Sequence, residues 1–354
     1  RRVLRSILAL LALASLPILT GCPGGQKPNP SGATPEAQAQ TNIRFRDVAK
    51  EAGLNYSWSP LGKRPLTILQ TIGNGGAFLD YDNDGNLDIL LVGQKPGLFQ
   101  GDGKGKFTDV SATALGGISG YFLGCATGDV DNDGFTDIYL TGYREGRLLR
   151  NTGRGTFSDI TAACKLPKQD WGTSATFADL DRDGFLDLYV CNYVDFGPNT
   201  KAQLCDFPTK DKKGKVPSSC GPKYYKGIKG NLFQNLAGKS FRDVTVAWGA
   251  QAHTGKGLGV AAVDFDGSGN DSLAVANDEV DGNLFLGQGK GKLKDIGVES
   301  GTARDRDGSI HAGMGIDWGD FNNDGLLDLF VTTFRSEAKS LYKNAGDRFF
   351  SDTA

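Results

Sequence analysis

The sequence predicts an all-β protein, a β-propeller built from four-stranded blades. Three observations lead to this fold: five aspartate-rich loops recur along the chain, each loop lies between two short apolar runs, and glycine supplies 51 of the 354 residues. A repeat period near 50 residues is typical of propeller blades. Abundant glycine and aspartate indicate many tight turns between short strands. We therefore expect each repeat to form one blade.

The five loops share the pattern Asp-x-Asp-x-Asp-Gly-x-x-Asp, with variations in the last two. They start 49, 50, 85 and 56 residues apart, and the long interval contains an insertion at about 196–230. The candidate metal ligands, in chain order, are Asp80, Asp82, Asp84 and Asp88; Asp129, Asp131, Asp133 and Asp137; Asp179, Asp181, Asp183 and Asp187; Asp264, Asp266, Ser268 and Asp271; and Asp320, Asn322, Asp324 and Asp328.

The flanks of each loop supply the strands of a blade. A run of small and apolar residues precedes the loop, as at 75–79, and a second apolar run follows it, as at 89–92. A third run, such as 148–151, leads through a glycine turn to a fourth that opens with Phe-x-Asp, as at 157–159. Four short strands joined by turns make one antiparallel sheet, and such sheets bury their faces by stacking.

An extra copy of the fourth-strand motif, 45–48, precedes the first loop. In a circular array this segment would complete the last sheet. Closure of the ring would then remove exposed sheet edges.

Calcium is the cation that suits these loops. It takes roughly six to eight oxygen ligands in flexible geometry, and the side chains at loop positions 1, 3, 5 and 9 can supply them. An EF-hand would need Glu at position 12 and flanking helices, whereas position 12 is apolar in all five loops. Asp-Asn-Asp-Gly is also ordinary turn sequence, but five copies with fixed flanks favour metal binding. We predict about five structural Ca²⁺ ions and a destabilised metal-free form.

The five loops are not equivalent. The first three carry the full aspartate set, whereas the fifth has the uncharged ligand Asn322 at position 3. The fourth has Ser268 at position 5, and its last carboxylate, Asp271, comes one residue early, with Ser272 at position 9. We predict that the fourth loop is the weakest site and that Ser272→Asp tightens it.

The N-terminus predicts export. Three arginines precede an apolar stretch, 7–18, that is too short for a stable membrane span, and we interpret 1–21 as a lipoprotein signal peptide. The segment 19–22 resembles a bacterial lipobox, so Cys22 is the expected lipidation site and the membrane a partner. Proline at position 23 favours the outer membrane. An ordinary cleaved signal peptide is the alternative.

The remaining chain divides into a tether and one large domain. Residues 22–42 are rich in Pro, Gly, Gln, Ala and Ser, which is typical of a flexible linker. Residues 43–354 are assigned to the propeller. Cys205 and Cys220 lie in the insertion, which lacks a hydrophobic pattern and which a disulfide could staple. Cys125 and Cys191 lie in apolar runs and are expected to be buried thiols, whereas Cys164 has no obvious partner.

The aspartate loop between two strands resembles the FG-GAP/VCBS repeats of integrin α-chain propellers. The chain is more closely similar to the group that includes cartilage acidic protein, whose members often end in an ASPIC/UnbV domain. That similarity covers about 43–354 and rests on 45–53, 220–225 and 312–315 through 329–332. It implies extracellular recognition or adhesion. No ASPIC/UnbV segment is present, which fits a fragment of a longer protein. Related propellers often have seven blades, so the blade number stays open.

We expect an extracytoplasmic binding or adhesion module, tethered to the bacterial cell envelope, that recognises a glycan or a protein. The insertion carries eight lysines against two aspartates, together with Tyr224 and Tyr225. An anionic glycan is therefore a candidate ligand, and a solvated basic loop is the alternative interpretation.

Other function classes have weaker support in the sequence. A propeller enzyme acting on polysaccharide, a lyase or a hydrolase, is the main alternative because the fold hosts such chemistry. However, the chain has only two histidines, His253 and His311, and no nucleophile motif, so we expect no catalytic activity. A platform for protein assembly is a third hypothesis. Nucleic-acid binding is not expected, because the basic residues are not interleaved with stacking aromatics.

Overall fold

The computed structural model describes residues 44–59, 64–209, 213–251, 255–335 and 337–354. The chain divides into two units, Arg1–Asp47 and Val48–Ala354. The predicted signal peptide (1–21), Cys22 and the predicted tether (22–42) lie outside the described residues.

The second unit contains five four-stranded antiparallel sheets, and the predicted propeller-like, nearly all-β fold is confirmed. Blade 1 consists of β1 (Gly76–Leu79), β2 (Asp88–Leu91), β3 (Gly97–Gly101) and β4 (Phe107–Asp109). Blade 2 consists of β5 (Phe122–Gly128), β6 (Asp137–Gly142), β7 (Glu145–Asn151) and β8 (Phe157–Asp159). Blade 3 consists of β9 (Gly172–Ala178), β10 (Asp187–Asn192), β13 (Asn231–Asn235) and β14 (Phe241–Asp243), and the insertion supplies β11 (Leu204–Pro208) and β12 (Lys215–Ser219). Blade 4 consists of β15 (Gly257–Val263), β16 (Ser272–Asn277), β17 (Asn283–Gly287) and β18 (Leu293–Asp295). Blade 5 consists of β19 (Gly313–Gly319), β20 (Asp328–Thr333), β21 (Ser340–Asn344) and β22 (Phe350–Asp352).

The helices of the described residues are single turns, two of which precede β1 while the others lie between strands. They are α1 (Ala49–Ala52), α2 (Ile68–Thr71), α3 (Ser111–Ala114), α4 (Gly297–Ser300) and a 3₁₀ turn at Pro222–Tyr224. Within the described ranges, none of the helices has the length and apolar character that crossing a membrane requires.

Every aspartate loop closes the hairpin between the first two strands of its blade in the same register. In blade 1 the residue before the loop, Leu79, pairs with loop position 9, Asp88. The same pairing recurs in the other four blades, as Gly128 with Asp137, Ala178 with Asp187, Val263 with Ser272 and Gly319 with Asp328. The nine-residue pattern therefore fixes where strand one ends and where strand two begins.

The hydrophobic core lies between successive blades. Leu90 of β2 packs in one cluster with Ile138 and Leu140 of β6, and Tyr139 of β6 packs with Leu188 of β10 in the next cluster. Alternate side chains of a second strand thus face opposite neighbours, as the pleat of a strand requires. The first strands also pack in chain order, β1 on β5, β5 on β9, β9 on β15 and β15 on β19.

Completion of the last sheet by the segment 45–48 is a wrong expectation. The fourth strand of blade 5 is β22, from its own repeat, and the described residues 44–48 contain no strand. The expected ring closure, which would cover both sides of every blade, is not seen among the described residues. Phe321 and Phe330, on the side of blade 5 away from blade 4, are 50 % and 41 % exposed, whereas the equivalent residues of the other blades are buried.

The insertion between β10 and β13 is a small unit closed by a disulfide of its own. Its hairpin, β11 with β12, has mostly exposed side chains. Cys205 and Cys220 form a disulfide at the base of this hairpin. Tyr225 is buried, and its hydroxyl accepts a hydrogen bond from the backbone N–H of Gln203 at 2.9 Å. Cys164 and Cys191 are buried thiols, as expected for Cys191, while Cys125 is only partly buried.

Candidate metal sites and a candidate ligand groove

The first carboxylate of each aspartate loop organises the loop around itself. In loop 1, Asp80 accepts hydrogen bonds from the backbone N–H groups of Asp84 at 3.1 Å and Gly85 at 3.0 Å. The same two bonds recur in loops 2 to 5. Asparagine at position 4 joins neighbouring loops, since the Asn83 side chain donates to the carbonyl of Gly134 and the Asn132 side chain to the carbonyl of Gly184, both at 2.8 Å. Loops 1 to 3 therefore lie side by side at one end of the blades.

The carboxylate at position 9 has a structural role that the sequence did not reveal. Asp88 is fully buried, and its two oxygens accept the backbone N–H groups of Tyr81 and Gly101, both at 2.8 Å. Equivalent pairs of bonds hold Asp137, Asp187 and Asp328. This carboxylate ties the loop to the third strand of its blade. In loop 4, Ser272 provides only one such bond, accepting the N–H of Gly287 at 3.0 Å.

Carboxylates converge in the first three loops. The oxygens of positions 1, 3 and 9 lie within 4.8 Å of one another in Asp80, Asp82 and Asp88, in Asp129, Asp131 and Asp137, and in Asp179, Asp181 and Asp187. Among the described residues, loops 4 and 5 do not form such a triad, and Asp271 joins none. Position 5 is also outside the triads. Asp84 accepts the N–H of Asn86 at 2.8 Å, and its counterparts make the same bond in their loops.

The donor set fits a hard cation. Oδ1 of Asp82 and Oδ1 of Asp131 are buried and have no hydrogen-bond partner within the described ranges. A buried carboxylate oxygen without a partner is costly unless a cation or water approaches it. Oxygen ligands of this kind are those that Ca²⁺ prefers. Asp80, Asp82 and Asp88 would hold the ion in loop 1, and the equivalent residues would do so in loops 2 and 3.

Burial makes these carboxylates hard to ionise without a metal. Burial, with a smaller contribution from the charges of nearby loop aspartates, raises the pKa of Asp137 to about 6 and of Asp187 to about 7, although backbone hydrogen bonds to these carboxylates act in the opposite direction. Burial likewise raises the pKa of Asp88. A bound divalent cation would remove this penalty, because it favours the charged form of its ligands.

A side chain of the third strand reaches the loop in four of the five blades, namely Gln100, Arg150, Gln234 and Lys343. Gln100 and Gln234 donate to Oδ2 of Asp82 and Asp181, both at 2.6 Å. In loop 2 the corresponding residue is a cation, Arg150, whose guanidinium lies 2.7 Å from Oδ2 of Asp131. The sequence did not draw attention to this position, because its residue type varies between blades.

A groove lies at the base of the insertion and reaches Asn231, the first residue of β13. It encloses about 540 Å³ between the turn at 143–144 of blade 2, the segment 195–198 and the segment 226–231. Phe196 forms one wall, and its ring contacts those of Tyr143, Trp171 and Tyr225 at centroid distances of 6.3, 5.9 and 5.8 Å. The aromatic wall is therefore held in place by packing.

The groove carries charges of both signs. Three cations, Arg144, Lys226 and Lys229, line it together with Asp170 and Asp195. Within the described part of the chain, none of these five side chains takes part in an ion pair. Two of the lysines proposed from the insertion thus face a cavity, whereas Lys210 and Lys212 lie outside the described residues.

The blades and their loops define a class, the propeller-like repeat proteins with an aspartate-rich loop in each blade. The model of the FG-GAP-like repeat matches residues 80–140, 129–190 and 264–331, slightly more than half of the chain. The chain belongs to the FG-GAP-like repeat family. This agrees with the resemblance to FG-GAP/VCBS repeats, while the closer relation to the ASPIC/UnbV group stays a prediction.

Several solved structures are similar to the chain at low identity. An Agrocybe aegerita lectin that recognises non-reducing terminal N-acetylglucosamine has 18% identity and a TM-score of 0.42, over 78% of this chain and 64% of the lectin. The V. cholerae biofilm matrix protein Bap1 has 14% identity and a TM-score of 0.40, over 84% of this chain and 41% of Bap1. The Photorhabdus luminescens Tc holotoxin pore has 17% identity and a TM-score of 0.40, over 76% and 11%. The chain thus spans less than two thirds of each. No curated protein matches the chain.

Proposed function

We propose that this protein is a calcium-stabilised binding module, tethered to the bacterial envelope, that recognises an anionic glycan. Membership of the FG-GAP-like repeat family supports binding or adhesion rather than catalysis. The observation that carries the ligand class is the groove at the base of the insertion. There Arg144, Lys226 and Lys229 face a cavity without an ion-pair partner in the described part of the chain.

The groove combines the groups that an acidic sugar needs. Its cations suit the carboxylates or sulfates of the ligand, because charge-assisted hydrogen bonds are the strongest polar contacts. Asp170, Asp195 and Asn231 are hydrogen-bond acceptors for sugar hydroxyls. Phe196 offers an apolar surface fixed by its ring neighbours. The cavity of about 540 Å³ lies in the usual range for small-ligand sites.

Charge reversal in the groove tests the proposal. We expect Lys226→Glu with Lys229→Glu to weaken binding of heparin and polyguluronate oligosaccharides at least about tenfold by calorimetry, because two attractive charges become repulsive. Lys239→Glu, an exposed lysine of the β13–β14 turn, is the matched control. Equal binding of neutral dextran, or an equal loss in the control, would contradict an anionic-glycan site.

The tether is tested separately. Cys22 follows the lipobox-like segment 19–21, and we expect the full-length precursor to incorporate an alkyne-labelled fatty acid and to fractionate with membranes. A Cys22→Ser precursor should do neither. Recovery of the unaltered protein in the soluble fraction, without label, would favour the ordinary signal peptide instead.

The alternative is a propeller enzyme, a lyase or hydrolase acting on polysaccharide. One observation favours it, since Nδ1 of His311 is buried with no hydrogen-bond partner among the described residues. Its neighbours in sequence are engaged elsewhere. Arg304 pairs with Asp281 at 2.7 Å, and Asp305 accepts the N–H groups of Asp307 and Ser309. Product release from the same oligosaccharides, abolished by His311→Ala, would establish the enzyme.

A further inference from the structure

The loops differ in the charge of the side chain that reaches them. In loops 1 and 3 this side chain is a neutral amide, Gln100 or Gln234, which donates to one oxygen of the position-3 aspartate. In loop 1 the other oxygen, Oδ1 of Asp82, is buried without a partner. In loop 1 the glutamine therefore orients the carboxylate and leaves its second oxygen for a cation, whereas in loop 3 the second oxygen, Oδ1 of Asp181, also accepts the N–H of Asp183 at 3.2 Å.

In loop 2 the same position carries a permanent positive charge. The Arg150 guanidinium bridges two loop carboxylates, with Nε 2.7 Å from Oδ2 of Asp131 and a terminal nitrogen 3.1 Å from Oδ2 of Asp133. Oδ1 of Asp131 remains buried without a partner. The carboxylate triad of loop 2 is thus intact, but one of its members, Asp131, is already paired with the guanidinium of Arg150.

Loops 4 and 5 combine a resident cation with fewer carboxylates. In loop 4 the position-3 carboxylate, Asp266, is paired with Arg348 of the β21–β22 turn at 2.7 Å. In loop 5, Lys343 of the third strand lies 3.6 Å from Oδ2 of Asp324. Leu286 occupies the third-strand position in blade 4, so the fourth loop receives its cation from the neighbouring blade.

We propose that these resident side-chain charges divide the calcium loops into classes of different affinity. Loops 1 and 3, with a glutamine, bind most tightly, loop 2 is weakened by Arg150, and loops 4 and 5 are weakest. The inference rests on the calcium binding proposed above. A single positive charge close to Ca²⁺ lowers affinity on the order of tenfold, even with water-like screening.

A reciprocal exchange tests the assignment. Calorimetric titration of the calcium-free protein with CaCl₂ should show two tight sites in the unaltered chain. Arg150→Gln, which installs the residue of blades 1 and 3, should give three tight sites, and Gln100→Arg should leave one. Arg147→Gln, which removes another partly exposed arginine of β7 that pairs with Asp159, is the matched control and should change nothing.

A second variant separates charge from geometry. Arg150→Lys keeps the charge but loses the bridging guanidinium, so loop 2 should stay in the weaker class. The classes would be overturned if unaltered protein binds calcium and neither Arg150→Gln nor Gln100→Arg changes the number of tight sites. Binding of no calcium by the unaltered protein would overturn the proposed function as well. Melting curves in chelator identify any variant that fails to fold. If one of Arg150→Gln and Gln100→Arg does not fold, the number of tight sites in the other variant tests the proposal.

Discussion

Position 9 of loops 1 to 3 holds a carboxylate that belongs both to the backbone hydrogen bonds of the loop and to a carboxylate triad. In loop 1 the carboxylate of Asp88 accepts two backbone N–H groups and also lies in the metal triad. The spacing in the sequence predicted this residue as a metal ligand. It could not predict the backbone hydrogen bonds, because the two N–H partners come from a different strand and from within the loop. Only the folded hairpin brings them to one carboxylate.

Ser272→Asp should strengthen loop 4 at a cost to the metal-free protein. Ser272 accepts one N–H, from Gly287, whereas aspartate in the other blades accepts two and adds a ligand oxygen. It also adds a buried charge, which is unfavourable without a cation. We expect tighter calcium binding by calorimetry and a lower melting temperature in chelator. A variant that binds calcium more tightly and also melts at a higher temperature in chelator would contradict this prediction, as would a variant that loses on both measurements.

The buried carboxylates predict opposite pH responses with and without calcium. Burial raises the pKa of Asp137 to about 6 and of Asp187 to about 7, above the unfolded range. The folded metal-free protein therefore binds protons more tightly than the unfolded chain. Its unfolding free energy is lowest above these pKa values and rises as the pH falls through them. Protons compete with calcium for the same oxygens, so the loaded protein should lose metal over this range.

Thermal melting at about pH 8 and about pH 5.5 checks the sign. In chelator the melting temperature should rise on acidification, and in calcium it should fall. A melting temperature in chelator that falls over this window would show that other groups dominate. The calcium-loaded sample is the control, because it contains the same ionisable groups.

At the level of elements, strand positions followed directly from the repeat. The predicted sequence of apolar run, loop, apolar run, third run and Phe-x-Asp strand corresponds to the four strands of each blade. Blade 4 shows the limit of the pattern, because its fourth strand begins with Leu293 rather than phenylalanine. The folded structure shows this strand by its pairing, because β18 forms an antiparallel hairpin with β17 in which Gly287 pairs with Leu293.

The insertion depends on its disulfide. Its hairpin has little buried surface of its own, and the cross-link closes a segment of 15 residues. A cross-link of this length stabilises by about 3 kcal/mol in the chain-entropy account. We expect Cys205→Ser with Cys220→Ser to accelerate proteolysis within the insertion, followed by mass spectrometry, while the blades keep their melting temperature. Unaltered protein treated with reductant should behave like the variant, and loss of the blade transition would contradict a local role.

At the level of the whole molecule, blades are stabilised by their neighbours. A given strand position can be buried or exposed according to whether a further blade covers it. Tyr139 is 0 % exposed at the position where Phe330 is 41 % exposed. The sequence could not distinguish these two residues, since both are aromatic and both follow a loop by two residues. Their difference is a property of the array.

Paired truncations measure this difference. Tyr139→Ala should cost about 3–5 kcal/mol, as for other fully buried aromatics. Phe330→Ala should cost less than about 1 kcal/mol, because much of its surface already contacts water. Urea unfolding followed by tryptophan fluorescence provides both values. Equal costs would show that Phe330 is covered in solution.

The exposed side of blade 5 also sets where the protein opens first. Blade 1 has a partial cover on its outer side, where the ring of Tyr56 packs edge-on against Phe99 at 6.4 Å. Blade 5 packs on blade 4 through β15 and β19, and its opposite side leaves Phe321 and Phe330 exposed. In an array with nearest-neighbour stabilisation, the least supported repeat frays first. Amide hydrogens of β19 to β22 should therefore exchange with deuterium faster than those of blades 2 and 3. Local opening would then be most frequent in the blade that has a neighbour on one side only.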